Sequence, residues 1–202
     1  MTSVRMNNLK IMPADLNITS QSKLTTEILE ELNARDLSDL VDAMDAAIEA
    51  GAGLGWSKAP PRDVVEKYFK GVLLVPERTL FVGRVDGTIA SAAQLIAPSR
   101  YNTAQQFSAN ILAIFVAPWA RGHGMGRQLL TTVENEALLR GYSVLNLDVR
   151  ETQKSAIALF EKMNYQLWGT NPYYAEVENE MIRGLYFGKV INQAHLDTLN
   201  KK

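Results

Sequence analysis

The chain has 202 residues, about the length of one domain, and its 47% hydrophobic residues are enough for a core without disulfides or metal staples. Twenty-one Lys and Arg nearly balance 22 Asp and Glu, leaving a net charge of -1 and no overall field to hold nucleic acid or an anionic membrane, so any recognition of an anion has to be local. The absence of cysteine excludes a disulfide framework, a thiolate nucleophile and a cysteine zinc site, and His123 and His195 alone cannot build a metal centre.

The first residues contain no apolar stretch of signal-peptide length, and no uncharged run approaches the roughly 20 residues that span a bilayer. A cytoplasmic protein is expected, with no nucleic-acid partner and no membrane partner. Residues 1–20 are polar and aperiodic, an N-terminal extension; residues 21–192 read as a single domain and 193–202 as a C-terminal tail. Thr26-Glu-Ile-Leu-Glu-Glu-Leu32 favours helix by propensity and a first strand by position, and is read as a strand. Leu37, Leu40, Val41, Met44 and Ile48 share one face of a helix that ends near Gly51. The Gly- and Pro-rich loop 51–61 follows, in which Trp56 offers a large face either to a substrate or to the core. Val64, Val65, Tyr68, Phe69 and Val72 mark a second helix.

Strands at 79–85 and 88–96 flank Asp86-Gly87, a strong two-residue hairpin signal. A polar loop over 97–107 leads to a strand at 109–116. Leu129, Leu130, Val133, Ala137 and Leu138 define a helix stopped by Gly141, and 144–149 is a strand. Ala156, Ile157, Leu159, Phe160 and Met163 define another helix, with closing strands at 165–168 and 181–187. Hairpins mixed with a β-α-β crossover place the chain in the α/β (α+β) class.

The segment Arg121-Gly-His-Gly-Met-Gly126 sits where a strand hands over to a helix. Alternate glycines there can expose successive backbone N–H groups beside a helix N-terminus, a concave donor site for phosphate oxygens. A dinucleotide fingerprint starting at Gly122 needs glycine where Arg127 stands, and a P-loop needs Gly-Lys at 127 and 128, so both fail. The remaining pattern, Arg-x-x-Gly-x-Gly, resembles the pyrophosphate motif of the GNAT superfamily of acyl-CoA N-acyltransferases. Val149 to Tyr165 resembles the family's second signature, and the likeness runs from the strand near 109 to Tyr186-Phe-Gly-Lys189. Gly51-Ala-Gly-Leu-Gly-Trp56, Ala93-Gln-Leu95, Leu147-Asp148 and Gly169-Thr-Asn-Pro-Tyr-Tyr174 further resemble a branch that includes tabtoxin-resistance acetyltransferases.

The resemblance implies a mixed, mostly antiparallel twisted sheet with a central splayed parallel strand pair, flanked by helices. It implies N-acetyl transfer from acetyl-CoA, without a metal, to a primary amine by direct attack in a ternary complex. The acceptor is expected to be a small molecule; a peptide or protein amine is the alternative, and a homodimer is left open. By this likeness the backbone at Phe115 and Val116 meets pantetheine, and Arg121, Gly122, His123, Gly124, Met125 and Gly126 hold the pyrophosphate. Arg127 reaches the adenosine phosphate, Gln153 and Phe160 lie toward the thiol end of the cofactor, and Trp56 and Gln94 are substrate candidates. Two positions depart from the family. Asn110 stands where many members carry a glutamate base, and Phe160 replaces a tyrosine proton donor. Asn110 is left to order a water, and Tyr173 and Tyr174 are the substitute acids. The two departures also motivate a second class of reading, a non-catalytic acyl-CoA-binding or sensing module.

Overall fold

In the computed structural model, which describes residue 18, residues 22–56 and residues 58–199, Asp86 and Gly87 turn the chain with φ of 49° and 86°. This left-handed pair suits a tight hairpin, here joining β2 (Arg78–Val85) to β3 (Thr88–Ile96). The first strand, β1 (Leu24–Ile28), pairs with β2 and ends four residues before the expected limit at Leu32. Helix α1 (Ala34–Glu49) then starts where Asn33 accepts a hydrogen bond from the Asp36 N–H, satisfying one of the helix's orphan donors. Helix α2 is Arg62–Leu73.

The remaining strands are β4 (Ser108–Val116), β5 (Val144–Arg150), β6 (Gln166–Val177) and β7 (Glu180–Val190). Among the described residues seven strands form one sheet in the order β1-β2-β3-β4-β5-β7-β6, and only β4 and β5 run parallel. A parallel pair needs a crossover, which helix α3 (Met125–Leu139) supplies. Helix α4 (Lys154–Lys162) links β5 to β6. Within the expected C-terminal tail, Gln193–Leu199 form a short helix, α5, whose His195 Nδ1 lies 2.6 Å from the buried Ser143 Oγ. Residues 200–202 of that tail, and all of the expected N-terminal extension except Ile18, lie outside the described residues.

Alternation along the strands sorts the core into two layers. Leu80, Val82, Ile89 and Ala92 pack under α1 and α2, whereas Phe81, Ala93, Ala109, Ile111, Leu145 and Leu147 pack under α3 and α4. Helices α1 and α2 cover β2, β3 and β4 but stop short of β5. Polar residues of β5 that point to that same side, Asn146, Asp148 and Arg150, are therefore left outside the helical cover. Strand β6 runs much further than the expected 165–168 because it is an edge: Pro172 has no outer strand to donate to, and a register shift between Asn171 and Ala175 absorbs it. No helix among the described residues is long and apolar enough to cross a membrane.

Candidate functional site

Strands β4 and β5 pair only over Ser108–Ile111 and Val144–Leu147, and beyond Ile111 and Leu147 they part. The cause lies in β4. Ala92 pairs with Phe115 and Gln94 with Leu112, so Ala113 and Ile114 both face the single residue Ala93. Ala113 takes φ 49° to make this bulge, at a cost of about 1–2 kcal/mol for a residue with a Cβ. The bulge turns the end of β4 away from β5, leaving backbone donors and acceptors on both strands facing a gap.

The gap leads to the glycine segment. Gly122 and Gly124 both have φ 84°, and Gly124 is the N-cap of α3 with no side chain to cap it. The N–H groups of the first helical turn, Met125, Gly126 and Arg127, are thereby left to an external acceptor. A Cβ on Gly122 or Gly124 would meet nothing within 4 Å, so conformation and not space demands glycine there. Gly126 differs: its Cβ would sit 3.0 Å from the Leu159 side chain, so it lets α3 approach α4. His123 is exposed with Nδ1 2.8 Å from the Arg121 carbonyl, and Arg121 Nε donates to the Val116 carbonyl at 3.0 Å, tying the segment to the end of β4. Arg127 is exposed, while the Phe115 and Met125 side chains are buried, leaving only their backbones available to a ligand. These residues fit a pyrophosphate-bearing, amide-bearing cofactor: uncapped donors at one end and unpaired strand edges at the other.

Where the two strands begin to part, a cleft of about 660 Å³ opens on the uncovered side, lined by Asn110, Asn146, Asp148, Trp168 and Tyr186 together with the 97–107 loop. The Tyr174 hydroxyl donates to Asp148 Oδ2. Burial, the hydrogen bond and the Asp148 charge together raise the Tyr174 phenol well above its ordinary range, so it stays neutral. Its ring lies over Gly184, where any side chain would collide with it, and edge-on to Tyr186 at 6.2 Å. Trp168 stacks obliquely on Tyr186 at 5.5 Å.

The sequence candidates divide accordingly. Asn110 is at the cleft, with Asn146 opposite it in register. Neither Tyr173 nor Tyr174 lines the cleft itself: Tyr174 reaches its edge through Asp148, and Tyr173 is 79% exposed. Gln94 is buried, its amide held between the Tyr68 hydroxyl at 2.6 Å and Arg78 at 3.3 Å. Trp56 packs edge-on against Tyr68 at 5.4 Å, over the α1/α2 core. Gln153 donates to the Gly51 carbonyl and so pins the 51–56 loop to the start of α4. Phe160, 1% exposed, lies in the α3/α4 core between Tyr165 and Phe187 at 6.0 Å from each. Asp148, Asn146, Trp168 and Tyr186 were not among the sequence candidates. The signal was present for two of them, since Val144-Leu-Asn-Leu-Asp-Val alternates and turns Asn146 and Asp148 away from the core. Among the described residues there is no cluster able to hold a metal ion.

Comparison with known proteins bears on this arrangement. The sequence pattern of the Acetyltransferase (GNAT) family matches residues 41–165. An Azospirillum brasilense protein described as an uncharacterized N-acetyltransferase in the hisH-hisA intergenic region is 55% identical over 131 residues, 65% of this chain and 78% of its own length. Among solved structures, an N-acetyltransferase from Staphylococcus aureus Mu50 superposes with a TM-score of 0.72 at 20% identity, covering 85% of this chain and 100% of its own. The protein yncA of Salmonella typhimurium, solved with its cofactor acetyl-CoA, gives a TM-score of 0.68 at 15% identity, covering 84% of this chain and 95% of its own. These relatives establish the family and not its tabtoxin-resistance branch. The strand order, the parted β4–β5 pair and the matched pattern agree, and the chain belongs to the GNAT acetyltransferase family and is an acyltransferase.

Proposed function

We propose that this enzyme moves the acetyl group of acetyl-CoA to the primary amine of a small molecule, by direct attack in a ternary complex. The observation that carries the reading is the continuity from the uncapped α3 N-terminus, along the parted edges of β4 and β5, to a cleft where Asp148 waits. The yncA structure with acetyl-CoA bound supports the choice of cofactor. When bound, acetyl-CoA supplies a thioester carbonyl for attack. The backbone N–H groups of Met125, Gly126 and Arg127 and the Arg121 guanidinium would hold its pyrophosphate, each charge-assisted hydrogen bond contributing about 1.5–3 kcal/mol. Backbone groups of β4 after the bulge, at Phe115 and Val116, would hold the pantetheine amides.

At the acceptor end the Asp148 carboxylate binds the incoming ammonium and takes one proton from it, which frees the nitrogen lone pair for attack; the second N–H proton passes to water as the tetrahedral intermediate collapses and the C–S bond breaks. An alkyl ammonium with a pKa near 10.4 is otherwise deprotonated, and so nucleophilic, to only about four parts in ten thousand at pH 7. Asn110, across the cleft, orders water or the acceptor. Tyr174 is assigned to hold Asp148 in place and not to protonate the leaving thiolate, because a phenol shifted upward is a weaker acid than a free one. A thiolate with a pKa near 8.5 leaves tolerably and takes its proton from water. With no cysteine there is no thiol to carry an acetyl-enzyme intermediate. A cleft of about 660 Å³ suits a small molecule better than a folded protein surface.

The test is to mix the protein, acetyl-CoA and a panel of primary amines, following free thiol and the acetylated amine by mass spectrometry. Equimolar CoA and N-acetyl product are expected. Thioester loss without an acetylated amine would overturn the assignment of amine as acceptor.

A further inference from the structure

We infer, on the basis of the acetyl-transfer reading above, that the acceptor is a primary ammonium on a neutral, multiply hydroxylated body, an amino sugar in chemical class. Amines bearing a carboxylate or phosphate are selected against. The charge pattern of the cleft carries the first half of this. Its lining contains one carboxylate, Asp148, and no Lys, Arg or His. Among the described residues Asp148 has a hydrogen bond from Tyr174 but no ion pair, so the cation that balances it has to come with the ligand. Arg150, the next residue on that side of β5, lines a separate pocket of about 310 Å³ with Tyr174 and Glu176 and is not part of the main cleft's lining. An acidic group on the acceptor would thus meet a like charge within about one strand repeat and no basic residue to pair with, a penalty of roughly tenfold or more in kcat/KM.

The neutral lining carries the second half. Ser99, Asn102, Gln105, Ser108, Asn110 and Asn146 contribute hydroxyls and carboxamides to one cleft. Asn146 Nδ2 donates to Ser108 Oγ at 2.9 Å, which directs the Asn146 carboxamide and leaves its oxygen as an acceptor. Beside them on β6 and β7 stands an aromatic pair, Trp168 with 66% of its surface exposed, in contact with Tyr186, which pairs in register with Asp148. An aromatic face adjoining several neutral donors and acceptors in one cleft matches a pyranose, whose C–H face packs on the ring while its hydroxyls reach the amides. A purely arylalkyl amine uses the wall but strips water from the polar side without replacing its hydrogen bonds.

The experiment is a kcat/KM series with the full chain, saturating acetyl-CoA and four amines: glucosamine, glucosamine 6-phosphate, tyramine and tyrosine. Glucosamine should exceed its 6-phosphate and tyramine each by roughly tenfold, and tyramine should exceed tyrosine. Asn102→Lys, which puts a cation into the exposed side of the same cleft, should narrow the glucosamine to glucosamine 6-phosphate ratio by roughly tenfold, as added counter-charge requires. A preference for glucosamine 6-phosphate or tyrosine in the unaltered protein overturns the charge argument, and tyramine ahead of glucosamine overturns the hydroxylated body. Both of those results leave acetyl transfer standing. If all four amines are inert while acetyl-CoA still binds, the acceptor class is overturned, and acetyl transfer itself is decided by the wider amine panel above.

Discussion

The two halves of the sheet are built differently. In the half made of β2, β3 and β4, helices lie on both faces, and β3 is buried from Ile89 to Leu95 without a break. In the half made of β5, β7 and β6, among the described residues only the α3/α4 face is covered by helices, and β5 alternates strictly between buried and half-buried residues. The first half is a scaffold whose residues are chosen for volume. The second presents a polar face, and the chemistry of Asp148, Asn146, Tyr174 and Tyr186 gathers where that face meets the paired start of β4, at Ser108 and Asn110. What the contrast teaches is that the site arises from withheld cover as much as from added residues.

If that division is right, substitutions on the two sides should fail in different ways. The largest effect belongs to the scaffold: Phe81→Ala, at a fully buried position on β2, should cost about 3–5 kcal/mol, seen as a large fall in Tm. On the open face, Asp148→Asn should lower kcat/KM by at least about 10²-fold while the Tm stays close to that of the parent, read by parallel melting and turnover assays. A Tm loss matching that of Phe81→Ala would erase the distinction. Phe160→Tyr probes the boundary. The family likeness alone suggests that restoring a tyrosine supplies a proton donor, but Phe160 lies in the core, so the added hydroxyl should be buried without a partner. The expected result is about 1–3 kcal/mol of lost stability and no gain in kcat. A higher kcat would mean that the ring reaches the reacting sulfur. The smallest effect is expected from Tyr174→Phe, which removes the hydrogen bond that positions Asp148 and should lower kcat by about tenfold with the cofactor's Kd unchanged. If Tyr174 were instead the acid, the loss should grow as the leaving thiol is made less acidic in a series of acyl thioesters.

Much of the scaffold was legible because its signals are local. The 3-4-7 spacing of Leu37 to Ile48 announces α1, and Asp86-Gly87 sets the β2–β3 register almost to the residue. The strand at the start fell short of its expected end because, although the Leu29 N–H still donates to the Leu80 carbonyl at 2.8 Å, Glu30-Glu31-Leu32 leaves the sheet to reach Asn33, which caps α1. Strand β6 ran long because Pro172, a strand breaker in a central position, is tolerated at an edge, and edge status is a property of the whole sheet. The glycine segment was legible as a donor site, but the division of labour among its glycines was not: Gly126 answers to Leu159 on α4, 33 positions away in sequence. The same non-locality hid the cleft. Asp148, Tyr174 and Tyr186 come from three strands, and only the order β5-β7-β6 brings them together. Gln94, attractive as a polar residue in an apolar strand, is occupied by Tyr68 and Arg78, a partnership no pattern in the chain could announce.

The central claim is that the parted β4–β5 edges and the uncapped start of α3 form one cofactor site. Amide hydrogen exchange with and without acetyl-CoA addresses it directly, because each backbone group named is also the reporter. The account predicts slower exchange on adding acetyl-CoA at residues 114–116 and 122–127, with the amides of β2 unchanged. Tight binding of acetyl-CoA with no added protection in either segment would contradict it.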